Sequence, residues 1–425
     1  MTAPSAQAEL SGGAYLRLIA LGALIGIPAA LLAAGFLALV HELEDLLWHD
    51  LPDQLGHSSP PWYLVIGLPV VGAAVVVAAR ELLPGDGGHP PLDGLKAEPT
   101  PFAWAPSVAL AALGTLAFGS VLGPEAPLIA LGSVVGMAVA PLFRLGPRES
   151  AVLATAGSFS AISALFGGPL VAGILLVEAG AATMGAALIP ILLPGLVSAA
   201  CGYLIFIGLG DWGGLNAAAL AVPGLPGYDG THVEDLLVGL VVGIAAGVLI
   251  VGVRRLAAVV DHLRGRGLGM PALLIAGGLA VGVVAELADV LGADSQDVLF
   301  SGQASVPALV AEGSTKIVLV LLVAKALGYA ISLGCGFRGG PVFPAIFIGV
   351  ALATVAVNLL DVSPTLAVAV GTAAGMAATT HLLFASLLTA ALLVGISGLD
   401  ATPAAVFAGA AAWLTRTALD RRRGE

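Results

Sequence analysis

Charge is scarce in this chain. Of its 425 residues, 10% are Asp, Glu, Lys or Arg, where a soluble domain carries roughly 25%. The mean hydropathy is +1.03. Water therefore cannot be the solvent over most of the surface, and lipid must take its place. Aromatic residues make up only 5%, so any belt of Trp and Tyr at the membrane interfaces is thin. Basic patches and charge runs are missing and the formal net charge is −11, which argues against a nucleic-acid partner. Cys201 and Cys335 are the only cysteines. Both stand in apolar stretches and read as small buried hydrophobes, not as a disulfide or a metal pair. No set of His, Cys, Asp and Glu has metal-ligand spacing, and no nucleophile stands beside a base. Neither a metal, a cofactor nor an enzyme activity is expected.

Met1 to Gly13 lacks Lys and Arg. The apolar run from Ala14 to Val40 is too long for a signal-peptide core of about 7–15 residues, and reads as a retained first helix. Glycine and proline are abundant, at 58 and 27 residues. Both are commoner in membrane helices than in soluble ones, where they permit close packing and breaks. Apolar segments of about 20 residues, long enough to span, run near 14–40, 62–83, 184–208, 233–253, 270–291 and 315–334. Shorter or interrupted ones lie near 104–121, 126–142, 150–165, 168–178, 341–358, 365–379, 381–396 and 402–415. Some of these must be tilted, re-entrant or broken. The expected organisation is a segment 1–13, a first half 14–215, a linker 216–232, a second half 233–418 and a basic tail 419–425.

The halves repeat. Gly22 and Gly26 match Gly239 and Gly243 at an offset of 217 (239 − 22). The run Gly123 to Gly132 (GPEAPLIALG) matches Gly340 to Gly349 (GPVFPAIFIG) at the same offset (340 − 123). Pro61, Gly67 and Gly72 match Pro271, Gly277 and Gly282 at 210 (271 − 61), so one indel lies between. Charges then orient the halves, because Lys and Arg collect in cytoplasmic loops. The loop 41–60 has none, while its mate holds Arg254, Arg255, Arg264 and Arg266. The next loop carries Arg80 and Lys96; its mate carries Glu286, Asp289, Asp294, Asp297 and Glu312, with Lys316 at its far end. Arg144 and Arg148 face a mate at 361–364 with neither. Three matched loops change sign, so the repeat is inverted. Arg17 and Arg421, Arg422 and Arg423 place both termini in the cytoplasm. Inverted repeats with broken helices belong to transporters and channels, whose sites lie near the midplane where half-helix N-termini point at an anion.

The sharpest motif is Gly123-Pro124-Glu125-Ala126-Pro127. It reads as a turn opening an apolar helix, with Glu125 at an N-terminus inside the membrane. Free N–H groups and the dipole stabilise negative charge there. An anion would fit, and a carboxylate could occupy the same place until protonated, as a gate or proton carrier. The bland reading is a helix cap. Intramembrane ionisable residues are rare and usually functional, which favours the gate. The mate, Gly340-Pro341-Val342-Phe343-Pro344, starts a second, uncharged helix that could converge on the same site. Asp86-Gly87-Gly88-His89-Pro90 could present further backbone donors, or be an ordinary loop; Asp86 would repel an anion unless it pointed away. Glu178 is a membrane-embedded carboxylate or a helix end facing water. Lys325 and Arg338 read mainly as side chains that snorkel to the interface, and His381 as a satisfied polar contact.

These motifs resemble the CLC family of chloride channels and chloride/proton antiporters. Gly114 to Gly132 is similar to the family's stretch around its gating glutamate. Ala154 to Glu178 is similar to the helix pair that follows, and Gly336 to Gly349 to the GxFxP region. The resemblance runs from the first helix to about Thr415. It implies an all-α polytopic membrane protein of two inverted halves, transporting small anions, chloride first. Glu125 would be the gate. Gly123, Pro124, Ala126 and Gly340 to Pro344 would hold the anion, and Gly87 would stand where the family has an anion-coordinating serine, with Gly88 beside it. The sequence departs from the family at several points: Gly87 replaces the serine, and Pro124 and Ala126 replace the arginine and glycine that flank the family's glutamate. Phe343 sits one place late, the internal proton-relay glutamate falls at Ala179 with Glu178 one place earlier as a possible proton path, and no tyrosine follows the last helix. Fluoride or another anion stays open as cargo; an intramembrane enzyme or a non-transporting scaffold are the alternatives of another class. Segments 184–208 (small residues Gly195, Ala199, Ala200, Gly202) and 402–415 (Ala404, Ala405, Ala408, Gly409, Ala412) match the interface helices of the family's two-fold dimers, so the resemblance implies a homodimer through them. The expected location is the plasma (inner) membrane.

Overall fold

The computed structural model describes residues 12–96, 98–184, 189–208, 220–266 and 269–421. The expectations placed on the N-terminal segment, on the start of the linker and on Arg422 and Arg423 therefore lie largely outside the described residues. The first half contains α1 (Gly12–Asp45), α2 (Leu51–Gln54), α3 (Trp62–Leu82), α4 (Ala105–Leu116), α5 (Glu125–Val139), α6 (Pro147–Leu165), α7 (Pro169–Met184) and α8 (Ile189–Ile207). The second contains α9 (Val233–His262), α10 (Met270–Val290), α11 (Ser295–Val298), α12 (Val306–Ala311), α13 (Thr315–Cys335), α14 (Val342–Leu360), α15 (Pro364–Thr380), α16 (Leu383–Val394) and α17 (Thr402–Arg421). Among the described residues, eight helical stretches are long and apolar enough to cross a bilayer. α4 and α16, at 12 residues each, are about 18 Å long at 1.5 Å per residue, too short to cross alone. α17 continues past 418, into the segment expected to be tail.

The repeat is visible in the packing. α1 lies on α8 as α9 lies on α17, α5 on α6 as α14 on α15, and α3 on α4 as α10 on α13. Across the halves, α3 packs on its mate α10 and α7 on its mate α16, as a pseudo-twofold axis requires. The paired glycines explain the first match. A β-carbon on Gly26 would lie 2.2 Å from the Ser198 carbonyl oxygen, and one on Gly243 2.3 Å from that of Ala408. Only glycine lets these backbones approach so closely, which is how helices gain van der Waals contact in lipid. The small residues expected at a dimer face are largely used up here: Gly195, Ala199 and Gly202 on α8, and Ala404, Ala405, Ala408, Gly409 and Ala412 on α17, are buried within the chain.

Basic side chains collect on one face of the molecule, where α1 begins and α3, α9 and α17 end. Arg17 is joined there by Arg80, Arg254, Arg264 and Arg421, and donates to the Phe143 carbonyl at 2.8 Å. The opposite face carries Glu286, Asp289, Asp294 and Glu312 around α10 to α13.

Candidate functional site

Each half brings a Gly-Pro break to the centre. α4 ends at Leu116 and α13 at Cys335, and short non-helical segments lead to α5 and α14. Where they meet, Gly123 and Gly340 form an antiparallel bridge: the Gly123 N–H donates to Gly340 O at 2.7 Å, and the Gly340 N–H to Gly123 O at 2.5 Å. The offset of 217 has become direct contact. Pro124 and Pro341 follow, and the helices start one residue later, at Glu125 and Val342. The first N–H groups of a helix have no intrahelical partner. Pro127 and Pro344 lack one, so the donors left over come from Glu125 and Ala126 in one helix and Val342 and Phe343 in the other.

Glu125 is fully buried. Its Oε1 accepts the Phe343 N–H at 2.9 Å, and its carboxylate also faces the N–H groups of Val342 and of Glu125 itself. Its Oε2 has no hydrogen-bond partner. A carboxylate from one helix thus lies on the N-terminus of its inverted mate. Glycine makes the room: a β-carbon on Gly340 would lie 1.5 Å from Oε2, and one on Gly123 2.4 Å from it. The Phe343 ring stacks on Phe166 at 5.5 Å between centroids and 11° between planes. The Tyr329 hydroxyl donates to Pro341 O at 2.9 Å. So a buried tyrosine does stand beside this helix start, but α13 supplies it. Reading the sequence missed both residues. A phenol inside an apolar span was a signal, because a buried Tyr hydroxyl needs a partner; Phe166 offered none.

The Gly85–Gly88 loop is left-handed throughout, with φ of 103°, 49°, 73° and 94°, which explains its glycines. Its donors are engaged, however. The Gly87 N–H donates to Ser107 Oγ at 2.7 Å and the Gly88 N–H to Gly85 O at 3.0 Å. Neither amide is free to hold an ion in this structure. Asp86, the expected source of repulsion, is bracketed by two arginines: Arg80 donates to it through Nε at 2.7 Å and Nη2 at 3.2 Å, and Arg338 through Nη2. Gly87, Gly88, Ala126 and Arg338 nevertheless meet at one small cavity. On the opposite side, a cavity of about 400 Å³ lined by His41, Glu44, Val222, Ser301 and Gln303 reaches Pro124. The two neighbours of Glu125 in sequence, Ala126 and Pro124, thus each line a cavity.

The expectations for Lys325 and Arg338 change. Lys325 does not snorkel. It is fully buried, donates to the carbonyls of Asp297, Leu299 and Phe300 at 3.1, 2.6 and 3.1 Å, and sits 4.7 Å from the Phe347 ring centroid. Three backbone carbonyls hold it inside the protein. Arg338, 3% exposed, is likewise kept inside, by Asp86. Glu178 is half-buried and accepts the Phe384 N–H at 3.0 Å and the Ala385 N–H at 2.7 Å, capping α16. Arg416 on α17 is 7% exposed and donates to Ala378 O and Thr379 O at the end of α15.

Known proteins share these features. Residues 91–416 match the family described as voltage gated chloride channel. A protein of Escherichia fergusonii, named as an ion-transport protein (YfeO), is 31% identical over 344 residues, which is 77% of this chain and 76% of that one. A slow cyanobacterial Cl⁻/H⁺ antiporter superposes with a TM-score of 0.76 at 17% identity, covering 95% of each chain. A CLC-type fluoride/proton antiporter does so with a TM-score of 0.71 at 19% identity, covering 96% of this chain and 98% of that one. At such identities the two structures establish the shared fold. With its matched region, its inverted halves and its paired helix starts, the chain belongs to the voltage-gated chloride channel family, as an integral membrane protein of anion transport and not an enzyme.

Proposed function

We propose that this protein moves chloride across the plasma (inner) membrane along a path that passes between the N-termini of α5 and α14, with Glu125 as its gate. One observation carries the reading: the Glu125 carboxylate, buried and with one oxygen unpartnered, lies on the Phe343 N–H where an anion would bind. Ionised, it competes with the anion. Protonated, it loses its attraction for the helix N-terminus and leaves. Gly123, Pro124 and Gly340 to Pro344 shape the site, and Ala126, Val342 and Phe343 supply its N–H donors. The solved relatives that exchange chloride or fluoride for protons support coupling through Glu125, and Glu178 is the second carboxylate such a route would use. Fluoride is the alternative cargo, favoured by the antiporter of similar fold. The charged face supports a cytoplasmic location for both termini, and the family habit of pairing favours a homodimer.

The test is anion flux from liposomes with and without a pH gradient. Glu125→Gln should leave flux intact or faster, flatten its pH dependence and abolish any proton movement. A folded Glu125→Gln protein with the wild-type rate and pH profile would reduce Glu125 to a helix cap.

A further inference from the structure

The loop after α3 holds an unbalanced charge. The Arg80 and Arg338 side chains are 6% and 3% exposed, and both converge on the Asp86 carboxylate, which is 59% exposed. Arg338 also donates through Nε to Asp86 O at 3.0 Å, and Arg80 through Nη1 to Gly336 O at 2.9 Å. Two buried guanidinium groups thus share one carboxylate. Arg264 lies near but has its own partner, Asp261, at 3.0 Å. A buried positive charge in excess is costly unless something anionic answers it. Arg338 also lines a cavity with Gly87, Gly88, His89, Ala126 and Gly339. About 10 Å³ of it is open to the centre of a water-sized sphere, room for about one such guest. Ala126, at the second position of α5, brings the helix start to this wall, one residue from the gate. His89 adds no lasting charge, because burial pushes its imidazole below the ordinary range.

We propose that Arg338 is the fixed positive charge of an anion site on the Gly87–Gly88 side of Glu125, and that Asp86 is its built-in competitor. The inference rests on the reading that an anion passes Glu125. An anion in the cavity takes up part of the Arg338 fork, and Asp86 retains Arg80. The affinity of the site is then set by an exchange between two anionic partners, the tethered Asp86 carboxylate and the arriving ion. This lets the site release its ion, as conduction requires.

Chloride binding to the full-length protein in detergent, followed by titration calorimetry in the Glu125→Gln background, tests this. Arg338→Gln should weaken binding by about tenfold, the scale of one lost charged contact, and Arg338→Lys should lie between. Asp86→Asn, which keeps Arg338 and removes its competitor, should tighten binding about threefold or more by the same arithmetic. A purely structural ion-pair network predicts the reverse for Asp86→Asn: lower thermal stability with no tighter binding. Should Arg338→Gln fail to fold, Arg338→Lys and Asp86→Asn decide. If these bind chloride with parental affinity while Glu125→Gln has lost its pH response, Arg338 is structural and the gate stands. If the wild type neither binds nor moves chloride, the gate and the Arg338 site fall together.

Discussion

At the scale of single residues, the same side-chain chemistry serves different ends according to its surroundings. Glu125 and Glu178 are both intramembrane carboxylates on helix N-termini. Glu178 fills both oxygens with N–H groups of α16, so it acts as a cap. Glu125 leaves one oxygen without a partner, which is what the proposed gate requires. Glu178→Ala should therefore lower stability by about 1–3 kcal/mol, the cost of a lost charged cap, measured by thermal unfolding in detergent. Glu178→Gln keeps one acceptor and should preserve both fold and anion flux; loss of proton coupling in that variant would assign the proton path to Glu178. Lys325 makes a sharper case. Lys325→Met strips three buried carbonyls of their donor and should destabilise by about 2–4 kcal/mol. Flux per folded molecule should stay unchanged, because Lys325 binds the protein's own backbone.

At the scale of elements, glycine positions divide into those that pack and those that do not. Gly243→Val would drive a side chain into the Ala408 carbonyl and part α9 from α17; overpacking of this kind costs roughly 1–3 kcal/mol or more. Loss of a monodisperse peak in size-exclusion chromatography is the expected result. Gly35 and Gly252 are repeat mates with nothing within 4 Å of a β-carbon. Alanine there should be neutral or slightly stabilising, since glycine inside a helix costs about 0.5–1 kcal/mol. Sequence showed that these glycines repeat, but not which of them touch. That depends on the partner helix, which lies well over a hundred residues away.

At the scale of the molecule, the packed small residues leave a different surface for association. Val406, Phe407 and Leu414 on α17 are 45%, 48% and 60% exposed, and Leu193 and Ile207 on α8 are 46% and 54% exposed. A homodimer through these helices would bury large apolar residues, not small ones. Phe407→Arg should then yield a monomer by light scattering in mild detergent, whereas lipid-facing placement would leave the mass unchanged. The separation of charge between faces makes a second expectation: in intact cells, an impermeant thiol reagent should label cysteines placed at 57–59 and not at 261–264. The opposite pattern would invert the orientation.

The sequence by itself settled the solvent, the helical class and the inverted repeat. Few charges exclude water, long apolar runs require helices in lipid, and matched motifs with opposite loop charges require halves of opposite sense. It also singled out Glu125, because a carboxyl group between two prolines in an apolar stretch is rare. Tertiary structure alone decided what each polar group touches. It laid Glu125 on Phe343, 218 residues away in sequence, held Lys325 in a cage of carbonyls, and bound Arg338 to Asp86 across 252 residues. It also engaged the Gly87 amide with Ser107 on α4 and the Gly88 amide with Gly85. Hydropathy and spacing record how far a residue is from water along its own helix. Hydrogen bonds depend on which backbone group a distant helix brings within about 3 Å, and that information exists only once the halves have packed.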